Sequence, residues 1–181
     1  MTLLYRAFIR RPEGADPLEV SRSYQGGGRH DNPHAYAALY TSRSPESAVA
    51  EAIRRFRGRL LRGRPLERPG GGRVALATLD GAALGDLVDL DEPVQLVERS
   101  VRPSAVATRD RDTTQPLALR IYEEGADGLA WWSTVEASWI NVTLFADRAA
   151  AKLAVVEHPE TLTPDHPAVQ AAAEAVGMVV P

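Results

Sequence analysis

The stretch Ala37–Phe56, AALYTSRSPESAVAEAIRRF, decides the fold. Ala37 to Thr41 is a short apolar run with the length and composition of a buried strand. Ser44-Pro45-Glu46 then reads as a helix start: Ser44 caps, Pro45 suits the first turn, and Glu46 favours the positive end of the helix dipole. Ala48, Val49, Ala52, Ile53 and Phe56 recur at helical spacing, so a helix is expected to about Phe56 with that stripe buried. Glu51 falls off the stripe and stands four residues before Arg55. An exposed i,i+4 ion pair is its ordinary reading; a carboxylate facing a cleft is the alternative.

Outward from this unit, Leu3–Arg10 alternates as a strand does. Arg11–Gln25 is polar and contains Pro and Gly, as in a loop or short helix. Gly26-Gly27-Gly28 is too costly in conformational entropy for a regular element and reads as a loop whose backbone approaches something closely. Arg57–Gly72, rich in Arg, Gly and Pro, reads as an exposed loop. Arg73–Leu79 reads as a strand, followed by a short helical or turn segment through Leu90. A second helix is expected from about Thr114 to Glu124, capped by Thr113 or Thr114 and closed by Gly125. Gly128–Trp132 and Trp139–Phe145 read as strands, the latter with Ile140, Val142 and Leu144 on one face and Trp139, Asn141, Thr143 and Phe145 on the other. Lys152–Glu157 is the last expected strand. Pro159–Pro164 reads as a turn, and Asp165 as the cap of an Ala-rich helix ending near Gly177. Strands interleaved with few helices give an α+β fold with a mixed, largely antiparallel sheet and flanking helices.

The bulk numbers agree with a globular protein. The chain has 181 residues, 44% hydrophobic and 25% charged, enough for one domain with its own core. It has no cysteine, which points to a reducing compartment and a cytoplasmic location. The N-terminus lacks the apolar core of a signal peptide, and nothing approaches the roughly 18 continuous apolar residues of a membrane span. Through Val74 there are 14 arginines against 7 acidic residues; beyond it, 7 basic against 17 acidic. The first half therefore suits an anionic ligand or partner, or is a solvated basic face.

Several chemistries are absent. There is no P-loop, and Gly26-Gly27-Gly28 does not fit a dinucleotide fingerprint. His30 and His34 are separated by Pro33, which argues against a shared helical face and a zinc site. No serine sits in a G-x-S-x-G elbow. No basic helix or aromatic stacking pattern marks a nucleic-acid reader, so no direct DNA binding is expected. What remains is a set of polar residues at element ends. Arg29 follows the glycines, where a guanidinium can clamp a phosphate or ribose. Tyr40 ends an apolar strand; its ring is suited to stack on a flat base, or to the core with a wet hydroxyl. Ser133 follows Trp131-Trp132 and can order a ligand or cap the next turn.

The order and spacing of these residues resemble the RES domain. Gly28-Arg29, Leu39-Tyr40-Thr41-Ser42, Ala48-Val49-Ala50-Glu51, Asp127-Gly128-Leu129 with Ser133, and Asn141–Phe145 match it across about Tyr5–Phe145. The resemblance implies a split sheet like that of mono-ADP-ribosyltransferases, around an NAD⁺ cleft. It implies a catalytic domain over 1–157, with 158–181 a turn and helix packed on it or on a partner. Arg29, Glu51 and Ser133 match the motif residues and are the expected catalytic set; Gly28, Arg29, Tyr40, Ser133 and Asn141 are the expected NAD⁺-binding set. One departure stands out: where the family carries Arg, an aromatic and Asn, this chain has Arg29-His30-Asp31-Asn32. His30 would replace the aromatic, and Asp31 adds a charge near the expected phosphate clamp.

The implied function is that of a bacterial toxin that breaks the nicotinamide–ribose bond and is held in check by a helix-turn-helix antitoxin, in a hetero-oligomer. Bond cleavage passes through an oxocarbenium-like state, which a carboxylate stabilises. Glu51 would do this, Arg29 would hold the pyrophosphate or ribose, Tyr40 would stack on nicotinamide, and Ser133 would hold its amide or position Arg29 and Glu51. Nicotinamide leaves as a neutral molecule, so no general acid is strictly required, and no metal is required either. A non-catalytic nucleotide or partner binder is the alternative, and it has no use for Glu51.

Overall fold

The structure is a computed structural model and describes residues 1–180. In chain order the elements are β1 (Leu3–Arg10), β2 (Ala38–Ser42), α1 (Pro45–Ile53), β3 (Arg73–Asp80), β4 (Leu87–Asp89), α2 (Pro93–Glu98), α3 (Pro103–Val106), α4 (Arg111–Glu123), β5 (Gly128–Trp132), β6 (Ile140–Phe145), α5 (Ala146–Ala149), β7 (Ala154–Val155), β8 (Glu160–Thr161) and α6 (Pro167–Val176). The strands form one mixed sheet in the order β4-β5-β6-β2-β1-β3-β7, with β8 also on β3. The β4–β5 pair is parallel and the other pairs are antiparallel. This is the expected α+β architecture with flanking helices.

The sheet is nearly severed between β1 and β2. Hydrogen bonds from Ala146 N to Ala37 O and from Arg43 N to Ile140 O set the phase of the β2–β6 ladder. In that phase Ala38, Tyr40 and Ser42 turn their main-chain groups away from β6, toward β1. On β1, the bond from Gly81 N to Thr2 O sets even-numbered residues toward β3, leaving Tyr5 and Ala7 facing β2. Among the described residues, the β1–β2 ladder consists of the single pair Tyr5–Ser42. The next pair in that register, Ala7 and Tyr40, is open. Further along, a side chain stands in for the missing strand: Gln25 Nε2 donates to Ala38 O (2.6 Å), and Gln25 Oε1 accepts from Ala38 N (2.8 Å).

Two helical layers cover the same face of this sheet, one on each side of the opening. Val49 and Ile53 of α1 pack with Val169, Ala172 and Val176 of α6 over Val74 and Leu76 of β3. Leu117, Ala118 and Ile121 of α4 pack over Leu129, Trp131, Phe145 and Ala38. On the opposite face Leu4, Phe8, Leu39, Val142 and Leu144 form a third cluster. Each fully buried Leu, Ile or Val side chain contributes about 1.5–3 kcal/mol, so each helix layer is firmly held. The alternation read along Ile140–Phe145 is present, but both faces are buried because the sheet is covered on both sides.

Other boundaries differ from expectation. The segment before Leu90 contains β4, an edge strand that forms by parallel pairing of Leu87–Asp89 with Gly128–Ala130. The turn expected at Pro159–Pro164 includes β8, paired with Ala75 and Leu76. Leu61 and Leu66, in the segment read as an exposed loop, are buried against α1 and α6. The cap of α4 is Asp110, because the Thr114 hydroxyl instead donates to Arg29 O (2.6 Å). The cap of α6 is His166, whose Nδ1 accepts from Ala168 N (3.1 Å), not Asp165. No helix among the described residues is long and apolar enough to cross a membrane.

Candidate active site

The opening between β1 and β2 is the floor of a cavity of about 270 Å³. Ala7, Tyr40, Ser42, Asn141 and Trp131 line it from the sheet, Ala48, Glu51 and Ala52 from α1, and Gly28 and Arg29 from the glycine loop. The cavity exists because the two helical layers diverge above a sheet whose next rung is open. Of the expected site residues, Gly28, Arg29, Tyr40, Glu51 and Asn141 come together here.

Arg29 is buried and held on two sides. Its guanidinium lies over the Trp131 ring, 4.6 Å from the centroid. Its NH1 donates to the carbonyl of Thr108 in the α3–α4 loop. Burial pulls its pKa down to about 10, and the charge of Glu51 opposes that shift. Both side chains line the same cavity.

Glu51 reaches the cavity because α1 turns a second, polar stripe toward β6. Ser47, one turn earlier, points the same way. The Glu51 ion partner is Arg54 (Oε2 to Nε 3.3 Å), not the expected Arg55. Arg54 also lines the cavity and is 39% exposed at its side chain, which puts it at the rim. Sequence reasoning missed it; its signal was the i,i+3 spacing from Glu51.

The glycine loop closes on itself. Asp31 Oδ2 accepts from Gly26 N (2.8 Å) and Gly28 N (2.6 Å), and Asp31 Oδ1 accepts from the Tyr40 hydroxyl (2.7 Å). From α4, Gln115 Nε2 donates to Gly28 O (2.9 Å) and Arg111 Nε to Gly27 O (2.9 Å). The loop amides expected to approach a ligand thus bind the chain's own carboxylate, and Asp31 is a buried latch, not a stray charge beside the clamp. A Cβ on Gly28 would lie 2.5 Å from the Tyr40 hydroxyl oxygen, which explains the glycine. The Tyr40 hydroxyl also accepts from His30 N (3.0 Å), so it is not the wet hydroxyl of the sequence reading. Burial, then the charge of Asp31, push the Tyr40 pKa well above its ordinary value.

His30 fills the position beside Arg29 as a buried ring. It stands edge-on to Trp131 at 5.3 Å, and its Nδ1 is 2.8 Å from Thr143 Oγ1. Trp131 Nε1 can only donate, so Thr143 Oγ1 accepts from it (3.2 Å) and its own hydrogen is free for His30 Nδ1. Burial, then the charges of Arg29 and Arg111, hold the His30 pKa well below the ordinary histidine range. The ring is neutral.

The RES domain model matches residues 3–170. The chain belongs to the RES-domain family. Among solved structures, a chain of the M. tuberculosis MbcT–MbcA toxin–antitoxin complex is similar at 18% identity, with a TM-score of 0.63 over 90% of this chain and 84% of that chain. That likeness is one of fold. No curated protein matches the chain in sequence.

Of the three expected catalytic residues, Arg29 and Glu51 share the cavity. Ser133 is not among its lining residues. It lies buried at the end of β5, where its N–H donates to Trp139 O (2.8 Å) and its Oγ accepts from Val135 N (3.1 Å). Those bonds cap the β5–β6 connection, the simpler of the two roles read from sequence. Among the described residues, no group of three or more His, Asp or Glu is placed to hold a metal.

Proposed function

We propose that this RES-domain protein is a toxin that cleaves the nicotinamide–ribose bond of NAD⁺, passing the ADP-ribosyl group to water, phosphate or a protein. The observation that carries this reading is the pairing of Arg29 and Glu51 in one cavity at the open rung of the sheet. As the bond breaks, positive charge grows on the ribose, and the Glu51 carboxylate stabilises it in a partly desolvated site. A volume of about 270 Å³ suits the reacting end of the dinucleotide, with Arg29 inside and Arg54 at the rim supplying positive charge for its phosphates. The main-chain groups that Ala7 and Tyr40 turn to the opening offer a donor and an acceptor for the carboxamide. The Tyr40 and Trp131 rings give the ligand apolar surface.

In this reading residues 1–157 carry the chemistry, on a split sheet of the mono-ADP-ribosyltransferase kind, and α6 supports α1 from behind. The protein acts in the cytoplasm. A cognate antitoxin with a helix-turn-helix domain covers the cavity in a hetero-oligomer and makes any DNA contact. The test is incubation of the purified protein with NAD⁺, with and without phosphate, assayed for free nicotinamide. Release is expected, and Glu51→Gln should lower it by about 10²–10³-fold. NAD⁺ that binds but stays intact would make the protein a nucleotide binder instead. Expression without an antitoxin should stop growth for the native chain and not for Glu51→Gln.

A further inference from the structure

Asn141 stands on β6 opposite Ser42 of β2 and beneath α1. Its side chain is buried, 2% exposed. Its Oδ1 accepts from two hydroxyls, Ser42 Oγ at 2.5 Å and Ser47 Oγ at 2.8 Å. Its Nδ2 donates to Glu51 Oε1 at 3.5 Å. The reverse orientation of the amide would set a carbonyl oxygen against a carboxylate. The other oxygen of Glu51 meets Arg54 (3.3 Å). Each carboxylate oxygen thus has one donor, one from the sheet and one from the end of its own helix.

We infer that Asn141, its amide set by Ser42 and Ser47, is a positioning residue that aims the Glu51 carboxylate into the cavity. The inference rests on the reading of Glu51 as the carboxylate beside the scissile bond. It changes the role of Asn141, which the family pattern placed among the ligand-binding residues: its carbonyl is committed to two serines and its amino group to the carboxylate. Ser42 and Ser47 acquire a role that no motif gave them. Ser47 is itself placed by the helix start, since its N–H donates to the Ser44 cap (3.2 Å). The cap that starts α1 therefore also sets the first member of the network.

The charged groups facing Glu51 are Arg54 from its own chain segment and Arg29 from the glycine loop, with Arg111 of α4 behind Arg29. Glu51 is the sole carboxylate among the cavity's lining residues. Asn141→Asp keeps the size and both serine bonds but sets a second carboxylate against Glu51. It should lower kcat about tenfold or more at neutral pH with KM within about twofold, and shift the acid limb of the kcat profile up by about one pH unit. Ser42→Ala with Ser47→Ala frees the amide, and should lower kcat about tenfold without moving that limb. Ser47→Thr, which keeps the hydroxyl, should restore activity. A wild-type pH profile in Asn141→Asp, or a loss confined to KM, overturns the inference.

A second readout needs no turnover. The side-chain amide protons of Asn141, assigned by their absence in Asn141→Asp, should shift in the NMR spectrum of Glu51→Gln. Unmoved signals would refute the contact. If the native chain releases no nicotinamide, the NAD⁺ reading fails, and these signals alone decide whether Asn141 holds Glu51.

Discussion

Ala7 and Tyr40 stand opposite one another in the register that pairs Tyr5 with Ser42, yet the rung between them is open and both residues line the cavity. The cavity proposed to take the ligand is therefore a missing piece of β-ladder, walled by two separate helix packs. Larger side chains at Ala7 should fill it. Ala7→Leu is expected to lower NAD⁺ turnover at least about tenfold while costing about 1–3 kcal/mol of stability by overpacking against α1. Nicotinamide release and thermal unfolding of the same preparation check this. Turnover unchanged by the added bulk would show that substrate does not enter the opening.

Arg29 combines a stack on Trp131 with a bond to a loop carbonyl, a geometry a planar guanidinium fits and an ammonium does not. Arg29→Lys keeps the charge but should lower turnover about 10²-fold, and the lost hydrogen bond should cost about 1–3 kcal/mol. Kinetics and denaturant unfolding measure the two effects. Near-native turnover in the lysine variant would mean that charge alone suffices.

The resemblance alone assigns Tyr40 by its ring, so Tyr40→Phe would be mild beside Tyr40→Ala. The structure adds a role for the hydroxyl. The hydroxyl donates to buried Asp31 and accepts from His30 N. Tyr40→Phe should cost about 1–3 kcal/mol and loosen the glycine loop, by leaving a buried carboxylate with one donor fewer. Urea unfolding measures the loss, and hydrogen exchange at Gly26 and Gly28 reports the loop. Protection as in the native chain would refute the latch.

His30 gives the fold a pH dependence of definite sign. Its folded pKa is depressed by burial, while the unfolded chain titrates near about 6.5, so below that pH the unfolded state binds the extra proton. Stability present above about pH 6.5 is lost as pH falls from there toward the folded value. Unfolding free energies between pH 7.5 and pH 5, taken as about neutral and mildly acid conditions, should fall more steeply for the native chain than for His30→Gln. Equal slopes would show that His30 does not contribute.

By itself the sequence determined the elements whose signals are local. The Leu3–Arg10 alternation, the apolar strand over Ala37–Thr41, the Ser44 cap with Pro45, the Trp139–Phe145 strand and the Gly177 stop all rest on neighbours within a few residues, and they lie close to where those signals put them. Family spacing also brought Arg29, Tyr40, Glu51 and Asn141 onto one list. Tertiary structure decided what these residues do. A two- or three-residue strand such as β8 or β4 forms only when a distant partner supplies the ladder, and no local pattern marks it. Glu51 reads as a surface carboxylate until Asn141, 90 residues away, meets it from the sheet beneath α1. Asp31 reads as a misplaced charge until two loop amides and a tyrosine close on it. The cavity itself is an unformed rung between two strands, a property of their register that neither strand carries alone.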